Sequence, residues 1–168
     1  MRYFILALLP FLALFLQSTI FRTFSIHGAI PDMVLVLVVF YALLNGARKG
    51  MVYGVMCGLL EDLYIGRFIG INSISKGIIA YIVGRLQVNV FKENFIVGVI
   101  GVIGGTLLNS VLLFILSLTS FEVFNLDHSI FVDMLYQGIY NTLIAIPIYV
   151  WYYRSSSRGL LREVGESK

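Results

Sequence analysis

The chain has 168 residues, 59% of them hydrophobic and only 12% charged, with a mean hydropathy of +0.92. Nine acids and twelve bases cannot clothe a water-soluble domain of this length, so the composition excludes an ordinary soluble protein and points to a bilayer as solvent. The net charge of +3, concentrated in a basic tail, reads as anchoring beside anionic lipid and not as a nucleic-acid surface, and the lone Cys57 excludes a disulfide framework.

A spanning helix needs about 20 mostly apolar residues, and six segments qualify as candidates, together making one all-α transmembrane domain over 1–153. The first, 3–21, is uncharged throughout; it is longer than a signal-peptide core, no small-x-small cleavage site follows it, and further apolar segments come after. The second, 30–45, opens with Pro31-Asp32, a proline suited to a first helical turn and an acid that complements the helix dipole. The third, 50–65, carries Glu61 and Asp62 near its end, and the fourth, 71–91, carries Lys76. Charges and glycines interrupt these three, which are expected to be shielded by neighbouring helices. The fifth, 94–121, and the sixth, 130–153, complete the bundle, and 154–168 is a solvated tail.

Lysine and arginine in short loops favour the cytoplasm. With the N-terminus inside, Arg2, Arg48, Lys49, Arg85, Lys92, Arg154, Arg158, Arg162 and Lys168 fall on the cytoplasmic side, against Arg22, Arg67 and Lys76 toward the other. Glu122, Asp127 and Asp133 also lie outside. Both termini are therefore expected in the cytoplasm.

Gly46, Gly50, Gly54, Gly58, Asp62, Gly66 and Gly70 recur at every fourth position, so on a helix they form a groove that another backbone can enter. Gly101, Gly105 and Asn109, with Gly98 and Gly104 nearby, repeat the device, and the sixth segment carries Gly138, Asn141 and Thr142. Gly50, Gly54, Gly58, Gly101 and Gly105 are thus the candidate packing surface for a partner helix or a helix of the bundle itself. Asn72, Asn109, Asn141 and Gln137 are suited to hold helices together by hydrogen bonds.

A carboxylate inside a span costs roughly 2.5 to 3.5 kcal/mol on insertion scales unless paired or wetted. Asp62, on the glycine row, is expected to face a polar cavity in the bundle. Neighbouring residues on a helix point about 100° apart, so Glu61 is expected to meet something else, the interface or a pairing with Arg67 or Lys76. The alternative places both acids at the outer water boundary. Asp32, Glu61, Asp62, Asn72, Asn109 and Asn141 form the candidate polar or ligand-binding set.

His27 and His128 have no HExxH spacing and no Cys/His companions, and neither a GxSxG elbow nor a P-loop is present. Adjacent acids on one helix do not straddle a substrate as catalytic carboxylate pairs do. The expectation is a non-enzyme without cofactor or metal.

The stretches "PDMVLVLVVFYALLNGARKG" (31–50) and "GVMCGLLEDLYIGRFIGINSISKGIIAYIVGRL" (54–86) resemble the rod shape-determining protein MreD family. The resemblance rests on Pro31-Asp32, a basic turn at Arg48-Lys49, a glycine-rich helix ending at Asp62, the Gly70-Asn72 step and Tyr81-Gly84-Arg85. It implies a multi-pass component of the bacterial plasma membrane needed for rod shape and lateral peptidoglycan synthesis. The implied partners are MreC directly, and MreB, RodA and a class B penicillin-binding protein in the same complex, with membrane lipid and a second copy of the chain as further candidates. Such proteins also look like the six-helix S components of energy-coupling-factor vitamin transporters, which supplies the alternative function of a substrate-binding subunit. S components dock through small residues on their first helix; here that helix offers Ala7 and Ala13, six apart and not four.

Overall fold

The computed structural model describes residues 2–25, 28–66, 69–86, 95–119 and 129–158. These form six α-helices and, among the described residues, no β-sheet: α1 (Arg2–Leu16), α2 (Met33–Asn45), α3 (Ala47–Ile65), α4 (Ile71–Leu86), α5 (Phe95–Thr119) and α6 (Ser129–Arg158). A π-helical turn, Gln17–Phe21, extends α1.

Helix α2 is the axis of the bundle. Every residue from Met33 to Leu43 is buried, and the helix touches each of the other five. A helix that is apolar all round belongs in such a position. Its start is set by Asp32, whose side chain accepts from the Leu35 N–H at 2.8 Å. Pro31-Asp32 therefore stands before the first turn, with Asp32 as the cap, and not within that turn as the sequence suggested.

The every-fourth-residue glycine row divides into two devices. Gly46 (φ 87°) and Gly66 (φ 70°) adopt left-handed conformations that glycine alone takes freely; the first turns α2 directly into α3 and the second ends α3. Gly50, Gly54 and Gly58 lie inside α3, where they are buried. A Cβ at Gly54 would stand 2.5 Å from the Lys76 carbonyl oxygen, one at Gly50 2.6 Å from the Ala42 Cβ, and one at Gly58 would strike the Asn72 carbonyl. Gly84 of α4 answers the row, approaching Ala47 just as closely. The groove expected to admit a partner helix is filled by α2 at Gly50 and by α4 at Gly54 and Gly58, helices of the same chain. Gly101 and Gly105 of α5 likewise receive Val39, Leu43 and Ile79, side chains of α2 and α4.

Proline at position 10 cannot donate to the Leu6 carbonyl, one turn back in α1. The Tyr53 hydroxyl of α3 donates to that oxygen at 3.0 Å, and its ring packs on Tyr41 of α2 at a centroid distance of 4.3 Å. One backbone defect in α1 thus becomes a link among three helices.

The distribution of polarity is inverted relative to a soluble protein. Phe4, Phe11 and Phe15 of α1, Val52, Met56 and Leu63 of α3, Ile96, Ile100 and Leu107 of α5, and Leu135, Ile139 and Leu143 of α6 all face outward. Asp32, Glu61, Asp62 and Lys76 face inward. Water would penalise both choices, whereas lipid favours the first and requires the second. By length and apolarity alone, two segments among the described residues could cross a bilayer, Phe4–Phe21 and Ile96–Leu116, with mean hydropathies of 2.2 and 2.3.

Candidate functional site: a buried ionic and amide centre

The inward face of α3 comprises Gly50, Gly54, Cys57, Gly58, Glu61 and Asp62. That stripe is wider than 100°, so two neighbouring residues both fit on it. The expectation that Glu61 and Asp62 must face different helices is corrected accordingly, since both meet α4.

Asp62 caps the start of α4. Its Oδ2 accepts from the backbone N–H groups of Gly70 (2.8 Å) and Ser73 (3.1 Å), and its Oδ1 from the Asn72 N–H (3.1 Å) and side-chain amide (2.9 Å). A carboxylate placed at the positive end of a helix and given four donors is solvated by protein in place of water. The polar cavity expected beside Asp62 is thus replaced by the first turn of α4, and Asn72 belongs to the same cap.

Glu61, one residue earlier, reaches further along α4 to the Lys76 ammonium. Lys76 Nζ also lies 2.9 Å from Asp32 Oδ2, so one cation serves two carboxylates brought from α3 and from the start of α2. Lys76 is wholly buried, and Asp32 and Glu61 are each 4% exposed. The pairing of Glu61 with Lys76 was one of the two expected from sequence; Arg67, the other candidate, lies outside the described residues.

Amides and hydroxyls extend this centre to α5 and α6. The Asp32 N–H donates to Asn141 Oδ1 at 2.7 Å, the Asn141 amide donates to Thr106 Oγ1 at 3.0 Å, and Thr106 donates back to the Val102 carbonyl at 2.8 Å. Ser75 of α4 donates to Asn109 Oδ1 of α5 at 2.7 Å. Gln137 of α6 donates to the Ile30 carbonyl at 3.2 Å. Five helices therefore converge on one polar network. The structure brings Asp32, Glu61 and Asn141 together around Lys76 and Thr106, sets Asn109 beside them through Ser75, and puts Asp62 with Asn72 in the neighbouring cap.

Ser73, Ser75 and Thr106 were not among the residues singled out from sequence, and Lys76 was named only as a possible partner of Glu61. For Lys76 the signal was present, because a lysine inside a span is as costly as an acid and requires a counter-charge. For the hydroxyls none was available, since serine and threonine satisfy themselves within helices as often as between them.

A cavity adjoins the centre at Glu61, and an apolar groove lies apart from it. The cavity, of about 510 Å³, opens between the π turn and the end of α3 and is walled by Gln17, Ser18, Arg22, Ser25, Glu61 and Tyr64. The groove, of about 810 Å³, runs between α1 and α3, lined by Ala7, Phe11, Val52, Met56 and Leu63, with Arg48 and Lys49 at one end. Among the described residues no group of His, Cys, Asp and Glu could hold a metal ion.

The family model described as "rod shape-determining protein MreD" matches residues 1–155. The chain belongs to the MreD family. Membership makes it a membrane protein of the rod complex with a part in determining cell shape, and accounts for the inverted polarity. No curated protein and no solved structure matches the chain. No match supports the expected likeness to S components.

Proposed function

We propose that this MreD-family chain crosses the bacterial plasma membrane six times, with both termini in the cytoplasm, as a non-catalytic scaffold. It holds MreC directly and, through the same assembly, works with MreB, RodA and a class B penicillin-binding protein in lateral peptidoglycan synthesis. The family match over 1–155 carries this reading. The buried centre supports a structural role: its ion pairs and amide hydrogen bonds tie five helices together in one arrangement and leave the outer surface to partners and lipid.

The α1–α3 groove supports a docking place for the single spanning helix of MreC. From Arg48 to Leu63 its wall runs sixteen residues along α3, about 22 Å at a rise of about 1.5 Å for each step, which is most of the hydrocarbon thickness. The occupant it suits is long, apolar and parallel to α3. Arg48 and Lys49 at one end agree with a cytoplasmic mouth. Gly50, Gly54 and Gly58 do not line this groove; they seat α2 and α4 behind it.

The test is co-purification of MreC with tagged protein from gently solubilised membranes. Met56→Trp, which fills the groove from an exposed position, is expected to reduce recovered MreC at least fivefold at unchanged protein level. Unchanged recovery would place the interface elsewhere.

A further inference from the structure

The geometry points to the 510 Å³ cavity beside Glu61 as a binding site for a small zwitterion that carries a primary ammonium and a phosphate ester, the chemistry of a phosphoethanolamine group. This goes beyond the scaffold role and does not depend on it.

The acceptors come first. Lys76 contacts one oxygen of Glu61, Oε2, which leaves Oε1 for the cavity that the residue lines. The Gln17 Oε1 is buried and has no hydrogen-bond partner. The Ser18 hydroxyl already spends its proton on the Phe15 carbonyl at 3.2 Å, so toward the cavity it can only accept. Glu61 Oε1 and the Ser18 hydroxyl are acceptors on this cavity, and the unpartnered Gln17 Oε1 lies buried in its wall, a set that suits an N–H-bearing cation. Charge argues the same way. Asp32 and Glu61 face a single Lys76, leaving one surplus negative charge at the cavity floor, and Asp62 is already engaged by four donors of α4.

The same cavity also carries positive charge and a further hydroxyl. Arg22 lines the cavity and makes no ion pair with any described carboxylate, and Ser25 stands beside it. A guanidinium with a neighbouring hydroxyl suits the several oxygens of a phosphate ester. Gln17, Ser18 and Arg22 share one wall because the helix widens to a π turn at Gln17–Phe21. Such turns recur at functional sites. The volume is within the range of small-molecule pockets, and Leu14, Ile30 and Ile65 offer apolar walls for an alkyl stem.

The ligand could be a lipid headgroup or a free solute, and the experiment separates them. Purified full-length protein in phospholipid-free detergent is melted with glycerophosphoethanolamine, and with glycerophosphocholine, which has the same charges but no N–H donors. In parallel, nanodiscs of phosphatidylglycerol are compared with discs containing phosphatidylethanolamine. The expected result is a saturable rise of roughly 5–10 °C at a hundredfold excess over half-saturation with the ethanolamine compound, and less than a quarter of that with the choline compound. A rise in both formats assigns a freely exchanging solute, and a rise in nanodiscs alone assigns the lipid headgroup. Either supports the site if Arg22→Gln and Ser18→Trp remove the response. Those variants leave the Lys76 ion pairs untouched, and two are used so that misfolding of one does not decide the matter. No rise in either format, an equal rise with the choline compound, or a response that survives both variants would overturn the proposal.

Discussion

Replacing Lys76 by methionine isolates the part of the structure that has least room to compromise. The substitution keeps the length and apolar stem of the side chain and removes one buried positive charge shared by Asp32 and Glu61. Both carboxylates then remain almost fully buried with no counter-charge. Removing one partner of a buried pair typically costs about 3–5 kcal/mol, which for a chain of this size corresponds to a melting temperature lower by roughly 8–15 °C. The reverse substitution, Glu61→Gln, is expected to cost much less, about 1 kcal/mol or under. It leaves Asp32 and Lys76 as a matched pair and removes the surplus negative charge. Glu61 is the cleaner choice of acid because Asp32 also caps α2. The triple variant Asp32→Asn/Glu61→Gln/Lys76→Met is expected to recover at least half of the loss seen with Lys76→Met alone. Melting followed by fluorescence-detected size exclusion in detergent measures all three. A Lys76→Met protein that melts within about 2 °C of the native one, or a Glu61→Gln protein that is the less stable of the two, would refute the charge argument.

Gly54→Ala drives a Cβ against the Lys76 carbonyl and is expected to destabilise by about 1–3 kcal/mol as overpacking does, whereas Gly104→Ala, with open space at that position, is expected to gain about 0.5–1 kcal/mol from helix propensity; melting temperatures of the pair check the contrast. Asp62→Asn keeps one acceptor but turns an amide N–H₂ toward donors of the α4 cap, for an expected loss of about 1–3 kcal/mol, read as faster proteolysis or lower melting. Tyr53→Phe strands the Leu6 carbonyl left unpaired by Pro10, with an expected cost of about 1–3 kcal/mol that Pro10→Ala in the same chain should relieve.

The number and order of helices were legible because apolar runs separated by charged or glycine-bearing turns leave few other readings. The fate of the glycine row was less so. A four-residue period states that one helix face is small, and gives no information on whether the backbone lying against it belongs to the same chain. Gly46 and Gly66 fell on the period for another reason, their positive φ, which sequence spacing cannot distinguish from packing. Asp62 was legible as buried and polar, but its role as the cap of α4 depends on how the start of α4 meets the end of α3, which tertiary packing decides. Asp32 was legible as a member of the polar set with Glu61, but its pairing with Lys76 was not. Forty-four residues separate it from Lys76, and only the central position of α2 brings its start to α3 and α4.

The central claim, that the outward groove and not the glycine face receives MreC, is tested most directly by site-specific photo-crosslinking in growing rod-shaped cells. A photoreactive residue is placed at Met56 in the groove, or at Leu107 on the lipid-facing side of α5. The account predicts an adduct with MreC from position 56 and none from position 107. An MreC adduct from position 107 with none from 56, or none from either in cells of normal shape, would contradict it.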